Sequence, residues 1–274
     1  MKSENANGGS AINVMARCKS KVDFAYKRLD VFPLIKGLII MSKRSDIIDP
    51  SAAPTADFGL VYSEVLGWID LGHAYGDDIR NLLKQMTTGE NGTAPYYELV
   101  YSQSMYKWSH NVGSGVYALW MVKKGTPLHI RHSIALAIMM RTAIRFESRQ
   151  LSVPFAWTTD SGFSAEDLVS DLLGFYRVIR PQNYFSQLKL VSKAEALKRW
   201  DYYGATGSYK NKLFQPLLFP DPEKNKTGKP FYGELPNFMT SIQPYNDFTR
   251  DTVLVVSNNG VLMNIGLQPQ ERFR

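Results

Sequence analysis

The sequence predicts an α+β fold in which a buried central helix is surrounded by other helices and by antiparallel β-hairpins. Residues 134–140 are apolar on every side of a helix, so that helix must be covered on most of its faces. Residues 96–105 and 116–124 instead alternate and are rich in Tyr, Val and Trp, as paired strands are. The 274 residues, 44% of them hydrophobic, suffice to bury a real core.

The predicted domain organisation is an N-terminal arm and linker over residues 1–57 and a single α+β domain over residues 58–274. Residues 1–20 are rich in Asn, Gly and Ser, which indicates a mobile arm, and Pro50 and Pro54 mark residues 42–57 as a linker. Residues 22–41 fit a short basic helix. The first fifty residues carry nine basic and five acidic side chains, more than half of the net charge of +7.

The first elements of the domain follow from local patterns. Residues 67–77 read as a strand or turn that runs into a helix at Asp77, because Gly72 and Gly76 disfavour an earlier helix start. That helix buries residues 79, 82, 83 and 86 and ends near Gly89. The hairpin of residues 96–124 comes next, and Pro127 then starts the central helix.

The remaining elements are predicted from helix caps, prolines and a turn motif. Residues 164–167 have the spacing of a capping box before an apolar helix that stops at Pro181. Ser192 caps a further helix that extends to residue 202. Residues 210–246 contain six of the 14 prolines and predict a long loop-rich stretch. Residues 252–265 predict a last hairpin, with an Asn-Gly turn at Asn259-Gly260.

The first candidate chemistry lies in the segment that carries Asp70, His73 and Asp77. An imidazole between two carboxylates could bind a metal or act as a carboxylate-oriented general base. The alternative is structural, with Asp77 as the helix N-cap and His73 as a hydrogen-bonded residue of the core. The residue pattern leaves both interpretations open.

Three further carboxylates are candidates for the same site. Glu147 follows a nearly all-apolar helix, so it must reach solvent or meet a partner such as Arg145, Arg149 or His73. Asp167 and Asp171 are four residues apart on one helix face, where Gly174 permits close approach. For Asp167 an equally good interpretation is an acid in the first helical turn that stabilises the helix dipole.

Two blocks of residues resemble a known bacterial family. Residues 59–63, residues 67–70 and His73 form the first block, and residues 163–168 with Ser170 and residues 172–174 form the second. In order and spacing they resemble domain of unknown function 4056. The matched blocks span residues 58–179, less than half of the chain. The resemblance implies an architecture that gathers Asp70, His73, Glu147, Asp167 and Asp171, and it implies no particular reaction.

Two departures from the family pattern bear on the site. Residues 64–66 read Glu-Val-Leu where the family has a Cys-Arg-Gly type of stretch. Phe146 stands where the family has the histidine of a His-Glu pair. If that histidine is a ligand or a base in relatives, this chain lacks it or uses another group.

Several classes of function are excluded by the sequence. The single cysteine, Cys18, lies between two basic residues and forms neither an internal disulfide nor a multi-cysteine zinc site. No phosphate-binding glycine loop, nucleophile elbow or His-Glu-x-x-His motif is present. No window predicts a membrane span, and no secretory signal is evident at the start of the chain.

The sequence therefore supports two hypotheses. In the first, the chain is a bacterial hydrolase-like enzyme with a site of His73, Asp70, Glu147 and Asp167, where Asp70 orients His73; a divalent metal is an option. It would be made in the cytoplasm and exported, without a signal peptide, as an effector or toxin against an envelope polymer. In the second, the same residues form a buried polar network in a binding or structural protein. No nucleic-acid partner is predicted, and the basic arm is left as a surface for a protein partner.

Overall fold

A computed structural model describes residues 42–107, 112–150 and 162–265, and within these ranges the chain folds into four helices and two sheets. The α+β prediction is confirmed. The helices are α1 (Asp77–Asn91), α2 (Leu128–Gln150), α3 (Asp167–Ile179) and α4 (Lys193–Tyr203). The strands are β1 (Leu60–Ser63), β2 (Gly67–Asp70), β3 (Tyr96–Lys107), β4 (Val112–Lys123), β5 (Leu217–Leu218), β6 (Phe231–Tyr232) and β7 (Val253–Ile265).

Helix α2 is the buried centre of the molecule, as its composition predicts. Residues 134–139 are all at most 2% exposed. The helix packs against β3, β4, α1 and α3, so apolar side chains on all sides find cover. This burial is the main hydrophobic stabilisation of the core, since each large apolar side chain removed from water contributes about 1.5–3 kcal/mol.

The two sheets lie on different parts of this core. In the first, β1 and β2 form a tight antiparallel hairpin, and the order continues through the short strands β5 and β6. The second has the order β3-β4-β7 and contains the hairpin predicted over residues 96–124. Its inward face carries Tyr97, Leu99 and Tyr101, which are buried. The next inward position is Gln103.

The predicted C-terminal hairpin is wrong. Residues 253–265 form one strand, β7, which pairs with β4 and has register shifts between Tyr117 and Trp120. The side chain of Asn258 accepts the indole N–H of Trp120 at 2.7 Å. Gly260 pairs with Tyr117, and a Cβ there would come within 2.1 Å of the tyrosine ring. The Asn-Gly pair therefore belongs to an irregular stretch of one strand, where glycine admits the ring.

The helix boundaries agree closely with their signals. Helix α1 begins at Asp77, although the capping position is Gly76 and not Asp77. Helix α3 ends at Ile179, just before Pro181. Helix α4 is capped by Ser192, whose hydroxyl accepts the backbone N–H of Glu195 at 3.2 Å. Caps are local, so the sequence predicts them well.

Residues 42–57 pack onto the domain, so their interpretation as a linker is corrected. Ile47 and Ala53 are 0% exposed, and Ile47 forms a parallel bridge with Leu60 of β1. The hydroxyl of Ser42 donates to the carboxylate of Glu166 at 2.7 Å. The predicted mobile arm (1–20), the basic helix at 22–41 and Cys18 lie outside the described residues.

Among the described helices, none combines the length and the apolar character that a membrane crossing requires.

Candidate functional site

A short turn after β2 presents His73. The Asp70 carboxylate at the end of β2 accepts the backbone N–H groups of Gly72 at 2.7 Å and His73 at 3.2 Å. The N–H of Asp70 itself donates to the hydroxyl of Ser170 at 3.0 Å. Asp70 therefore fixes the backbone of the turn His73–Tyr75, which is how Asp side chains commonly stabilise turns.

Helix α3 lies directly against this turn along one polar stripe. Asp167, Ser170, Asp171 and Gly174 share a helix face, because they follow the spacing of three, four and seven residues. A Cβ at Gly174 would lie 2.8 Å from the carbonyl oxygen of His73, so only glycine permits this approach. The guanidinium of Arg177 then donates to the carbonyl of Ala74 at 2.7 Å.

The stripe brings a carboxylate to the ring of His73. Nδ1 of His73 lies 2.9 Å from Oδ1 of Asp171, and the two side chains are 17% and 6% exposed. The predicted role of Asp70 as orienter of the ring is thus corrected: Asp171 orients the ring, and Asp70 holds the backbone. The second oxygen of Asp171 accepts the amide of Gln103 at 3.1 Å.

The electrostatic environment favours the charged form of His73. Burial lowers the pKa of His73, whereas the charge and hydrogen bond of Asp171 and the charges of Asp70 and Asp167 raise it. The result is a pKa well above the ordinary value of 6.5. The surroundings of the ring therefore favour its imidazolium form, paired with Asp171.

Glu147 and Asp167 form a buried carboxyl pair behind the histidine, at 1% and 8% exposure. Glu147 accepts the N–H of Phe163 at 2.6 Å, and Asp167 accepts the N–H of Ser164 at 2.8 Å. The second bond is one half of the predicted capping box. Phe163 has a φ of 58°, a left-handed conformation that is rare for a residue with a side chain. The two acids therefore hold a strained turn.

Glu147 and Asp167 influence each other electrostatically, and two neighbouring buried carboxyl groups favour a state in which one of them holds a proton. Burial and the charge of Asp167 raise the pKa of Glu147 well above its ordinary value. Burial raises the pKa of Asp167 to about 6, with His73 lowering it and Asp70 and Asp171 raising it. Of the two acids, Glu147 is therefore the one whose protonated form is favoured more strongly. The sequence suggested Arg145, Arg149 or His73 as its partner, whereas the group bonded to Glu147 is the backbone N–H of Phe163.

The sequence did not predict three side chains of the site, namely Asp78, Tyr101 and Gln103. The hydroxyl of Tyr101 donates to the carboxylate of Asp78, and the amide of Gln103 lies 3.4 Å from the same hydroxyl. Burial and the charge of Asp171 raise the pKa of Asp78 to about 6, against the bond from Tyr101. One signal was available, because a polar Gln occupies an inward position of β3.

The site thus brings Asp70, His73, Asp167, Asp171 and Glu147 into one electrostatic cluster and extends it to β3 through Gln103. Within the ranges that the structure describes, no group of three or more His, Cys, Asp or Glu side chains is placed to hold a metal ion. The carboxylates instead bind N–H and O–H groups of the chain. A divalent metal, an option from the sequence, finds no ligand set there.

Comparison with protein-family models, curated proteins and solved structures finds no match for this chain. The similarity to domain of unknown function 4056 therefore stays a prediction that depends on short motifs.

Proposed function

We propose that the chain is a hydrolase that works by acid–base catalysis, with His73 as the group that exchanges a proton with the substrate. One observation carries the proposal. His73 keeps 17% of its side chain exposed, while its partner Asp171 is almost fully buried. Since Nδ1 is bonded to Asp171, Nε2 is the ring nitrogen that can meet a substrate. A buried carboxylate behind a histidine orients the ring and stabilises its charged form.

The pKa pattern supports separate acid and base roles. Because the pKa of His73 is raised, the ring begins as the acid and gives its proton to the leaving group. Asp78 is half-buried and has a pKa of about 6, so it is mostly ionised at neutral pH and can accept a proton from the attacking water. Groups whose environments separate their pKa values in this way are typical of acid–base catalysts.

The charge of the site favours a neutral bond as the substrate. The side chains that surround His73 are Asp70, Asp78, Asp167 and Asp171, and their field would repel a phosphodiester. A glycosidic or peptide bond of an envelope polymer fits this field better. Export as an effector or toxin is the finer part of the proposal, and its support comes from the sequence alone.

Purified bacterial sacculi are a direct substrate for the test. The unaltered chain and His73→Ala are incubated with sacculi, and the release of new reducing ends and new amines is followed. Removal of the acid should lower the rate about 100-fold or more. His129→Ala, an exposed histidine at the start of α2, serves as the matched control and should keep the full rate.

Further outcomes separate the parts of the proposal. Asp171→Asn should lower the rate and shift its pH profile, because the ring loses the charge that keeps it protonated. Release that persists undiminished in folded His73→Ala and Asp171→Asn would overturn the proposed role of His73. Absence of release by the unaltered chain would overturn the envelope polymer as substrate. Expression with and without an attached export signal, with growth as the readout, tests the effector proposal.

A second candidate is a non-catalytic polar network that fixes the core, and one observation favours it. Glu147, Asp167 and Asp171 are each at most 8% exposed, and each accepts a hydrogen bond. The donors are the adjacent backbone N–H groups of Phe163 and Ser164 and the side-chain amide of Gln103. Buried networks of this kind can specify a fold without chemistry. Under this alternative, His73→Ala lowers the melting temperature strongly and no hydrolysis is found, whereas a catalytic residue is often replaced with little loss of stability or a gain.

A further inference from the structure

A second candidate site lies away from the acids, in a cleft of about 650 Å³ beside the end of α4 and strands β5 and β6. Its lining includes four tyrosines and two lysines, namely Tyr202, Tyr203, Tyr209, Tyr232, Lys210 and Lys229. Aromatic side chains concentrated in one cleft are a common feature of ligand sites, because they offer large contact areas with little conformational entropy to lose.

Three of the four tyrosine rings are held in place before any ligand arrives. The hydroxyls of Tyr202, Tyr203 and Tyr209 donate to the backbone carbonyls of Lys226, Gly228 and Tyr203, at 2.6, 3.2 and 2.9 Å. Tyr203 and Tyr209 also pack edge-on against Phe219, with ring centroids 5.3 and 5.0 Å away. Preorganised rings lower the entropic cost of binding.

Two of these rings remain largely open to solvent. Tyr202 is 50% exposed and Tyr232 is 48% exposed, so each of these large side chains leaves about half of its surface in contact with solvent. The hydroxyl of Tyr202 already donates to the carbonyl of Lys226, so this residue offers a ligand the face of its ring. The flat C–H face of a pyranose ring covers an aromatic face well, and so does a nucleobase.

The charge at the cleft favours an anion. Residues 210–229 contain five lysines and only two acids, Asp221 and Glu223. Both acids already have lysine partners, since Asp221 lies 3.4 Å from Lys224 and Glu223 lies 3.0 Å from Lys198. The segment therefore presents a net positive field next to the tyrosine rings.

The position of the cleft distinguishes a sugar from a nucleic acid. Gly67 of β2 pairs with Leu217, which lines the cleft, and Asp70 is the last residue of the same strand. Three residues of extended strand span about 10 Å, so the carboxylate site begins about that far from the cleft. A long phosphate backbone that continued past the cleft would be repelled there, whereas a short acidic oligosaccharide that stays within the cleft would not reach the acids.

We propose that this cleft is a binding site for an oligosaccharide that bears carboxylates, with Tyr202 and Tyr232 under the sugar rings and Lys229 beside a carboxylate. The proposal does not depend on hydrolysis at His73. It assigns to the tyrosine cleft the recognition of an acidic glycan, whichever reaction the carboxylate site performs.

Calorimetric titration with tetragalacturonate, its methyl ester and an oligothymidylate tests the proposal. The ester has the same rings without the charge. We expect the acid form to bind about tenfold or more tighter than the ester, because one charge-assisted contact is worth about that factor. Saturation-transfer NMR should report contact between tyrosine rings and sugar C–H protons.

Variants locate the binding. Tyr202→Ala and Lys229→Ala should each weaken binding about tenfold, while Tyr202→Phe keeps the ring and should bind as well as the unaltered chain. Lys84→Ala, an exposed lysine on α1, is the control for charge alone. Equal binding of acid and ester, no binding of either, or binding that survives Lys229→Ala and Tyr202→Ala would overturn the proposal. Tighter binding of the oligothymidylate would assign the cleft to single-stranded nucleic acid instead.

Discussion

The most buried acid of the site, Glu147, shows how a carboxyl group is tolerated in this core. It is 1% exposed, and burial together with Asp167 raises its pKa well above the ordinary value. Its neutral form is therefore favoured, and it accepts the N–H of Phe163. A protonated glutamate is close in shape and in hydrogen bonding to a glutamine.

From this we expect Glu147→Gln to fold with nearly the stability of the unaltered chain. The amide oxygen can accept the N–H of Phe163 in place of the carboxyl group. Glu147→Ala leaves a buried N–H without an acceptor and should lower the free energy of unfolding by about 1–3 kcal/mol. Urea unfolding measures both variants. An equal loss of unfolding free energy in Glu147→Gln and Glu147→Ala would show that the charge of Glu147, and not its hydrogen bonds, determines stability.

A pH-dependent prediction follows from Glu166. Its Oε1 accepts the hydroxyls of Ser42 and Thr206, both at 2.7 Å, while the buried Oε2 has no partner among the described residues. Burial and the charge of Asp167 raise the pKa of Glu166 to about 8, from the ordinary value of 4.5 for a glutamate. Between these values the unfolded chain releases this proton and the folded chain keeps it. This group therefore makes the protein less stable as pH rises from about 4.5 to 8.

Glu166→Gln stays neutral at every pH and should remove this contribution. Melting temperatures measured from pH 5 to pH 8 should show the variant gaining on the unaltered chain as pH increases. Glu98→Gln, on the exposed side of β3, controls for the loss of one acid and should follow the unaltered chain. Parallel curves for Glu166→Gln and the unaltered chain would contradict the raised pKa.

The site residues were predicted to the extent that their signals are local. The spacing of Asp167, Asp171 and Gly174 places them on one helix face, and this could be read directly. The partner of His73 could not, because Asp171 is 98 positions further along the chain while Asp70 is only three positions away. Asp78 was not predicted, because acids are common in the first turn of a helix and such a position does not by itself indicate a site.

At the scale of elements, the contact between α3 and the turn His73–Tyr75 determines the geometry of the site. Gly174 lies where the helix meets the carbonyl of His73, and Asp171 lies one turn earlier beside the ring. The distance between His73 and Asp171 therefore depends on how closely the helix packs. A side chain at position 174 must push two backbone segments apart.

Gly174→Ala tests this dependence. Alanine would stabilise the helix by about 1 kcal/mol through propensity. The clash at 2.8 Å from a backbone oxygen should outweigh this gain, and we expect a net loss of about 1–3 kcal/mol on thermal or urea unfolding. Thr88→Ala, at an exposed position of α1, makes a propensity change without a clash and should be neutral or stabilising. If Gly174→Ala is as stable as Thr88→Ala, the packing argument fails.

The elements themselves were predicted where their pattern is periodic or capped. Helices α1, α2, α3 and α4 and the pair β3 and β4 all appear close to their predicted places. The sequence predicted a hairpin where the single strand β7 lies, because Asn-Gly is the strongest local hairpin signal. The competing factor was non-local: Tyr117 and Trp120 of β4 need the space of Gly260 and the amide oxygen of Asn258.

At the scale of the whole molecule, the site is assembled from segments that are distant in sequence. His73, Gln103, Glu147 and Asp171 come from a turn, a strand and two helices that meet around the core. The net charge of +7 therefore says little about the site, which is acidic. Because each segment contributes a bonded group, loss of one segment should disturb the others.

The segment before β1 provides the sharpest test of this cooperativity. A chain of residues 42–274 keeps Ile47, Ala53 and the bond from Ser42 to Glu166, whereas a chain of residues 58–274 loses all three. Loss of a fully buried isoleucine alone costs about 2–5 kcal/mol, so the shorter chain should melt about 4–20 °C lower or fail to fold.

Two substitutions in the longer chain make the test specific. Ile47→Ala should reproduce much of the loss. Arg44→Ala removes an ion pair with Asp201 in which both side chains are 54% exposed, and should change stability by less than about 1 kcal/mol. Equal melting temperatures for the two chains would show that residues 42–57 do not stabilise the domain and are a linker. A difference carried by Ile47 places the start of the folded unit before residue 47, because a side chain that stabilises the whole domain belongs to its core.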